Sequence, residues 1–418
     1  MTPRSTNPST PCAPPTPPGT PSPGRSIISG TRSAHDVSSE AVVTTVAASD
    51  PFRVVVAGGG AAGLETLLAL RTLAGERVAL TLVAPHDEFV YRPLAVEAPF
   101  GVGRARRVAL DDAARDADAT FVPATIEAVD TAQRIAQPAA SHPLEYDALV
   151  LAVGARAVPA IAHALTWDDR ADAEVIGGLL QDIEQGYSRR LAVVIPPGPG
   201  WPLRAYELAL FITREATSMS ADLKTTIVAP EPSPLRLLSP RLVELLSNEL
   251  RLAGVHVVSA AGAGVEPGHA PTVVLRPSGQ RLEVDRVLAL PELRGRPITG
   301  IPAGDHGFVE VDEHGRVRGL DRVWAVGDGT AFPVKSGGVA VEQADVVAAD
   351  IGAEAGAAVE PRAFDPDSLE ELAGLPNGCY LRGWLTGDDD LTTRLPAAGV
   401  PILTYLERDL EASWRGEP

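Results

Sequence analysis

Three glycines with the spacing GxGxxG are the first residues in this sequence that could do chemistry. Gly58, Gly60 and Gly63 follow the run RVVVA and precede a stretch with leucines at helical spacing, so they lie at a predicted strand-to-helix turn. In such a turn the first glycine permits the tight bend, the second lets the backbone approach a pyrophosphate, and the third lets helix and strand pack closely. Backbone N–H groups and the helix dipole then hold the anion. The turn therefore predicts a dinucleotide site.

A second candidate site follows a late apolar strand. The run VWAVGDGTAF carries Gly327 and Asp328, and Lys335 comes shortly afterwards, where Gly337 and Gly338 open a helix of small residues. If the N-terminus of this helix points at a reducible cofactor, its dipole and Lys335 stabilise negative charge there. The alternative is that Lys335 is a solvated loop lysine.

The strand, turn and helix pattern restarts near residue 190, in RRLAVVIPPGPGWPLRAYELALFITRE. A second dinucleotide turn would lie here, but its sequence is rich in residues that lack a backbone N–H: Pro196, Pro197, Pro199 and Pro202. Trp201 adds bulk where backbone would approach phosphate. Glu231, in contrast, follows the next strand, where a ribose-binding acid belongs. The residues therefore leave NAD(P)H binding open.

The corresponding ribose-binding acid is absent after the second strand of the first unit. Ala84 and Pro85 stand there, and Asp87 or Glu88 could substitute. The ribose contact is therefore open at this turn, while the pyrophosphate site is intact.

Composition excludes several classes of protein. The 418 residues carry 36 Lys and Arg against 54 Asp and Glu, a formal net charge of -18 that would repel nucleic acid. Two cysteines, Cys12 and Cys379, cannot form a disulfide scaffold or a four-thiolate cluster, and the histidines show no metal-ligand spacing. We expect no metal, and any redox chemistry must come from an organic cofactor.

The elements that position these residues indicate an α/β fold with two interleaved Rossmann-like domains and a small C-terminal segment. We expect a disordered Pro/Ser/Thr-rich tail over 1–50, a discontinuous first domain over 51–163 and 292–360, an inserted second domain over 164–291, and a separate segment over 361–418. No apolar run is long enough to cross a bilayer.

Several of these motifs together carry a family resemblance. The early GxGxxG, FVYRPL, YDALVLAVGA, the late GD and KSGGVAVEQAD resemble the two-dinucleotide-domain flavoproteins, the pyridine nucleotide-disulfide oxidoreductase-like superfamily. The closest branch holds type II NADH dehydrogenases and sulfide:quinone oxidoreductases.

This resemblance implies FAD as cofactor, with the discontinuous domain over 51–163 and 292–360 as the FAD-binding domain and the inserted domain over 164–291 as the NAD(P)-type domain. It also assigns roles to single residues. Arg92 of FVYRPL and Gly154 of AVGA would contact the cofactor, and Asp328 would bond its ribitol and phosphate region. Gln343 would lie beside the flavin ring. Glu207 aligns with a family glutamate near flavin and nicotinamide; the alternative is a helix-surface acid.

We therefore expect an FAD-dependent oxidoreductase that passes two electrons from a small-molecule donor, with NADH as a candidate, to a quinone or another small acceptor. One alternative is a sulfur-compound:quinone oxidoreductase, although Cys379 lacks the partner cysteine that the resemblance implies. Another is a non-enzymatic flavin-binding protein with a degenerate second domain. Disulfide reduction is disfavoured, since LETLLALRTL carries no thiol pair.

We expect a cytoplasmic protein, with weak peripheral contact to the inner face of the membrane as an option. The final segment PILTYLERDLEASW carries an apolar stripe, Ile402, Leu406 and Leu410, which either docks on lipid or packs on the protein body. Its acidic polar face favours packing.

Overall fold

The first ordered strand forms where β-branched residues are consecutive. FRVVVA becomes strand β1, Phe52–Ala57, and its last four residues are buried, as in a parallel strand that is covered on both faces. The structure, a computed structural model, describes residues 50–91, 106–167, 172–233, 240–268 and 270–365. Most of the predicted tail, Arg92, Cys379 and the final apolar stripe lie outside these residues.

Helices follow both dinucleotide-type turns and another begins at Gly337, as predicted, and further helices form outside these motifs. Within the described residues, α1 is Ala61–Ala74, α2 Leu110–Asp116, α3 Asp172–Glu184, α4 Leu203–Ser218, α5 Pro240–Leu252 and α6 Gly337–Glu354. Short 3-10 turns lie at Gly75–Arg77, Asp305–Gly307 and Gly327–Gly329.

The remaining strands, in chain order, are β2 Val78–Val83, β3 Glu88–Tyr91, β4 Arg106–Ala109, β5 Ala119–Val122, β6 Ile126–Asp130, β7 Ile135–Pro138, β8 Leu144–Glu145, β9 Ala148–Leu151, β10 Ala155–Val158, β11 Leu165–Thr166, β12 Arg190–Val194, β13 Lys224–Val228, β14 His256–Val258, β15 Gly262–Glu266, β16 Thr272–Arg276, β17 Arg281–Glu283, β18 Arg286–Ala289, β19 Glu292–Gly295 and β20 Val323–Ala325.

The first parallel sheet gathers strands from both ends of the described chain. Its order is β20-β9-β1-β2-β5, and every neighbouring pair is parallel. Helices α1 and α6 pack against each other in the core on one face. Because β20 and α6 come late in the sequence, this half of the fold is discontinuous in the chain.

The second parallel sheet is built from the intervening residues. Its order is β11-β18-β12-β13-β14, again parallel throughout, with α3, α4 and α5 contributing to its core. Smaller antiparallel sheets accompany both large ones. The predicted α/β class with two Rossmann-like parallel sheets is confirmed; the residue boundaries of the domains remain a prediction.

The helices can also be compared with what a membrane-spanning segment requires. Among the residues that the structure describes, none of the helices combines the length and the apolar character that a bilayer-spanning segment requires.

Candidate functional site

The first glycine turn contains glycines at which a Cβ would collide with the backbone and one glycine at which it would not. A Cβ on Gly58, whose φ is +130°, would lie 2.1 Å from the carbonyl oxygen of Ala152, and a Cβ on Gly63 would lie 1.8 Å from that of Gly58. Both positions therefore require glycine for the packing of β1 against its neighbours. A Cβ on Gly60 meets no atom within 4 Å. Gly60, which caps α1, thus borders open space at the N-terminus of the helix.

That open space is what a pyrophosphate needs. The N-terminus of α1 offers backbone N–H groups without helical partners, and the helix dipole favours an anion there. Among the residues that the structure describes, none places an atom within 4 Å of a Cβ built on Gly60. The residues present therefore fit the phosphates of FAD, which would lie at Gly60, while Gly58 and Gly63 allow the close packing that shapes the turn.

Three glycine turns meet at one edge of the first sheet. β1, β9 and β20 are adjacent and parallel, and Gly58, Gly154 and Gly327 follow their carboxyl ends. Gly154 and Gly327 have φ values of +65° and +71°. A Cβ on Gly327 would lie 2.9 Å from the Cβ of Ala62, so the GD turn lies against the first turn of α1. Open α/β sheets bind ligands at this edge.

The GD turn is supported from α6. The backbone N–H of Gly327 donates to Oε1 of Gln343 at 2.8 Å, and the hydroxyl of Thr330 donates to the carbonyl oxygen of Gly327 at 3.0 Å. Gln343 is buried. Its amide oxygen therefore orients the turn that carries Asp328, a contact that sequence spacing did not indicate; its predicted place beside the flavin remains a prediction.

Lys335 is enclosed by protein. Its side chain is 5% exposed, so the alternative of a solvated loop lysine is wrong. Nζ donates to the carbonyl oxygen of Thr330 at 2.6 Å and lies 4.1 Å from the ring centroid of Phe308. Burial lowers the pKa of Lys335 to about 8, although the nearby charge of Asp328 acts in the opposite direction. Phe308 lies far away in the sequence, and no motif pointed to it.

Helix α6 starts directly after Lys335. Ser336 is its N-cap, and its hydroxyl accepts a hydrogen bond from the N–H of Val339 at 3.3 Å. Gly337 and Gly338 form the first turn. A buried ammonium and a helix N-terminus thus stand next to each other, an arrangement that stabilises negative charge.

Glu207 is buried on α4, with 7% of its surface exposed. The alternative of a helix-surface acid is therefore wrong. Its helix begins three residues after Gly200, which hydrogen-bonds to the backbone of Lys335 at 3.2 Å. The role of Glu207 toward flavin remains a prediction.

The two candidate ribose acids of the first unit lie at the surface. Asp87 and Glu88 are both exposed. Glu88 accepts a hydrogen bond from Arg107, across the antiparallel pair β3 and β4, at 3.0 Å. Ala84 is buried at the end of β2.

The second turn differs from the first. Gly200 donates its N–H to the carbonyl oxygen of Pro333 at 3.0 Å, and the hydroxyl of Tyr206 donates to Oε1 of Glu231 at 2.6 Å. The N–H of Gly200 and one carboxylate oxygen of Glu231 are thus engaged within the protein. The prolines of this turn lack the N–H donors that a pyrophosphate cradle needs, so the turn fits a nicotinamide dinucleotide less well than the first turn fits FAD.

Groups of three or more potential ligands, drawn from His, Cys, Asp and Glu, do not occur in metal-binding proximity within the described part of the chain.

Two parallel sheets, with glycine turns at the carboxyl edge of the first, define the class of two-dinucleotide-domain α/β proteins. Residues 52–346 match the family model described as pyridine nucleotide-disulphide oxidoreductase. The chain belongs to this family, whose members are flavin-dependent oxidoreductases.

Solved structures share this fold at low sequence identity. The sulfide:quinone oxidoreductase of the hyperthermophilic bacterium Aquifex aeolicus is 18% identical, with a TM-score of 0.66 over 72% of this chain and 77% of that one. A ferredoxin reductase of Rhodopseudomonas palustris is 21% identical, with a TM-score of 0.55 over 75% and 78%. NDH2 of Plasmodium falciparum, solved with NADH, is 16% identical, with a TM-score of 0.54 over 68% and 65%. No curated protein sequence matches the chain.

Proposed function

We propose that this chain is an FAD-dependent oxidoreductase that passes two electrons from a small-molecule donor to a quinone or a similar small acceptor. The observation that carries the proposal is the meeting of the glycine turn at Gly58–Gly63, the GD turn and the buried Lys335 loop at one sheet edge. When bound, FAD supplies the two-electron chemistry, which side chains of this composition cannot perform.

The protein's own contribution would be to bind and to hold charge. The α1 N-terminus at Gly60 would take the pyrophosphate, and Asp328 the ribitol region. Lys335 is largely protonated at pH 7, since its pKa is about 8. Its ammonium and the N-terminus of α6 would stabilise the extra negative charge of a reduced ring.

The electron balance is simple for a quinone acceptor. The donor loses two electrons, and the quinone gains two electrons and two protons to become a hydroquinone; protons that the donor does not release come from solvent. Similarity in fold to a sulfide:quinone oxidoreductase favours this class of acceptor, and it also keeps a sulfur-compound donor as an alternative. We further propose a cytoplasmic location with peripheral contact to the inner face of a membrane, where quinones are available.

A single methyl group tests the cofactor site. In Gly60→Ala the new Cβ contacts no protein atom and requires no positive φ, so the fold should be retained. The methyl would occupy the space meant for the pyrophosphate, and FAD retention should fall at least tenfold. The measurement is the ratio of absorbance near 450 nm to that at 280 nm after reconstitution with FAD, together with far-UV circular dichroism.

Gly178→Ala is the matched control. Gly178 is exposed on α3, and a Cβ there also meets nothing within 4 Å. This variant should retain FAD as the wild type does. Equal FAD retention in Gly60→Ala and Gly178→Ala would show that the turn at Gly60 does not contact FAD. A colourless wild-type protein that does not bind added FAD would refute the proposed function.

A further inference from the structure

The turn between β12 and α4 is hydrogen-bonded to the loop that leads into α6. Gly200 donates its N–H to the carbonyl oxygen of Pro333 at 3.0 Å, and Lys335 donates its N–H to the carbonyl oxygen of Gly200 at 3.2 Å. The two bonds form a parallel bridge between Gly200 and Val334. A loop of the second sheet thus holds the backbone of Lys335 directly.

Trp201 strengthens this bridge by apolar packing. Its side chain packs against the buried side chains of Val334 and Val339, next to Phe332 and Phe364. The same indole also packs against the core of the second sheet. Trp201 therefore links the core of the second sheet to the cluster beside the Lys335 loop.

The turn has few backbone N–H groups, and the bridge uses one of them. Prolines at 196, 197, 199 and 202 offer none, and Gly200 has donated its own to Pro333. Between Pro196 and Pro202 only Gly198 and Trp201 keep an N–H outside this bridge. In the first turn, in contrast, every residue from Gly58 to Gly63 carries an N–H, and that of Gly58 donates to the carbonyl oxygen of Val83 at 2.8 Å. A pyrophosphate cradle needs several converging N–H donors, and the second turn does not supply them.

The ribose position is also engaged. The hydroxyl of Tyr206, a fully buried residue of α4, donates to Oε1 of Glu231 at 2.6 Å. A ribose hydroxyl would therefore have to share the Glu231 carboxylate with a buried tyrosine. A ribose hydroxyl that took the place of the tyrosine would leave the tyrosine hydroxyl buried without its partner, which is unfavourable.

We propose that the Ile195–Pro202 turn is a structural bridge to the Lys335 loop and not a pyrophosphate cradle, so that nicotinamide dinucleotides do not bind at the second sheet and do not donate the electrons. The statement about electrons rests on the proposed flavin function. The statement about the bridge depends only on the contacts of Gly200, Trp201 and Lys335.

Ligand binding tests the exclusion. The full chain, saturated with FAD, is titrated calorimetrically with ADP-ribose and with NADH up to about 1 mM. A Kd of about 1 mM corresponds to a binding free energy of about -4 kcal/mol, so weaker binding would escape detection. We expect no saturable heat and, in the anaerobic visible spectrum, no bleaching of the flavin by NADH. Saturable binding of ADP-ribose, or bleaching by NADH, would overturn the proposal.

Hydrogen exchange tests the bridge without reference to activity. The amides of Gly200 and Lys335 should be protected in the wild type, and Trp201→Ala should speed their exchange at least tenfold. Tyr187→Ala is the control, since Tyr187 is 70% exposed and lies in the same half of the molecule. Exchange of both amides at unfolded rates in the wild type, or protection that depends on added NADH, would overturn the bridge.

The two proposals fail in different ways. If the protein does not bind FAD, the proposed function is refuted, while amide exchange at Gly200 and Lys335 still tests the bridge. If the protein binds FAD and NADH reduces the flavin, the proposed function stands and the inference that nicotinamide dinucleotides are not the donor is refuted.

Discussion

Lys335 shows how a single residue can be both predicted and misjudged from sequence. Its place ahead of a glycine-started helix marks it as a candidate. Its burial, however, comes from Phe308 and the carbonyl oxygen of Thr330, which approach it only in the folded chain. Local sequence carries no record of such a contact, so the choice between a solvated and a buried lysine needs the structure.

Burial of Lys335 has a measurable pH signature. The pKa falls from 10.5 to about 8 on folding, so the unfolded chain binds more protons between these values, and the lysine's contribution to stability rises with pH over that window. Below about pH 8 the buried charge costs stability in full. Lys335→Met should therefore stabilise the FAD-free protein relative to wild type at pH 7, and the difference should shrink toward pH 10. Urea unfolding of both proteins at several pH values measures it.

Lys224→Met serves as the control for this experiment. Lys224 is an exposed residue at the start of β13, so its substitution removes a lysine without removing a buried charge and should not stabilise the protein at pH 7. A stability difference between Lys335→Met and wild type that does not vary with pH would contradict the lowered pKa.

At the scale of elements, α6 ties together the parts of the site. Gln343 near its start holds the GD turn, and Asp350 near its end accepts a hydrogen bond from Nε1 of Trp324 on β20 at 2.8 Å. Arg316 pairs with the same carboxylate at 2.7 Å. Small residues and helical periodicity predicted this helix, but the pairing of Asp350 with Trp324 joins two elements whose register only the packed fold determines.

Asp350→Ala should be strongly destabilising. The change leaves the buried Trp324 N–H unpaired and removes one carboxylate from Arg316, and we expect a loss of about 2–4 kcal/mol in the free energy of unfolding. Asp111→Ala is the comparison, since Asp111 and Arg115 form an ion pair whose side chains are 68% and 63% exposed. Exposed pairs contribute about 0–1 kcal/mol. Equal losses in the two variants, measured by urea unfolding, would contradict a structural role for Asp350.

At the scale of the whole molecule, alternation of strands and helices was enough to predict two parallel sheets. The repeat of strand, glycine or proline turn and helix is a local signal, and the crossover rules for parallel strands limit how it can fold. The use of Gly200 as a bridge was not predictable. The prolines around it indicated a poor cradle, but the acceptor, Pro333, lies in the other half of the fold.

Net charge gives a prediction for the molecule as a whole. With a formal charge of -18 at pH 7, self-repulsion opposes compaction, and salt screens it over about 10 Å at 0.1 M. The Tm should rise by a few degrees as NaCl is raised from low concentration at pH 7. Near pH 4.9, the sequence pI, the same salt should leave Tm unchanged or lower it. A Tm that falls with salt at pH 7 would show that exposed ion pairs outweigh repulsion.

The two kinds of glycine in the first turn also bear on how such a sequence can change over generations. A methyl group at Gly63 collides with the backbone whether or not a cofactor is present, so this position is fixed by the fold alone. A methyl group at Gly60 meets none of the described residues, so a bound ligand is what would penalise it. Among descendants that keep the fold and abandon the cofactor, Gly60 is free to drift while Gly63 is not. The identity of this one residue in close relatives therefore records whether the cofactor has been kept.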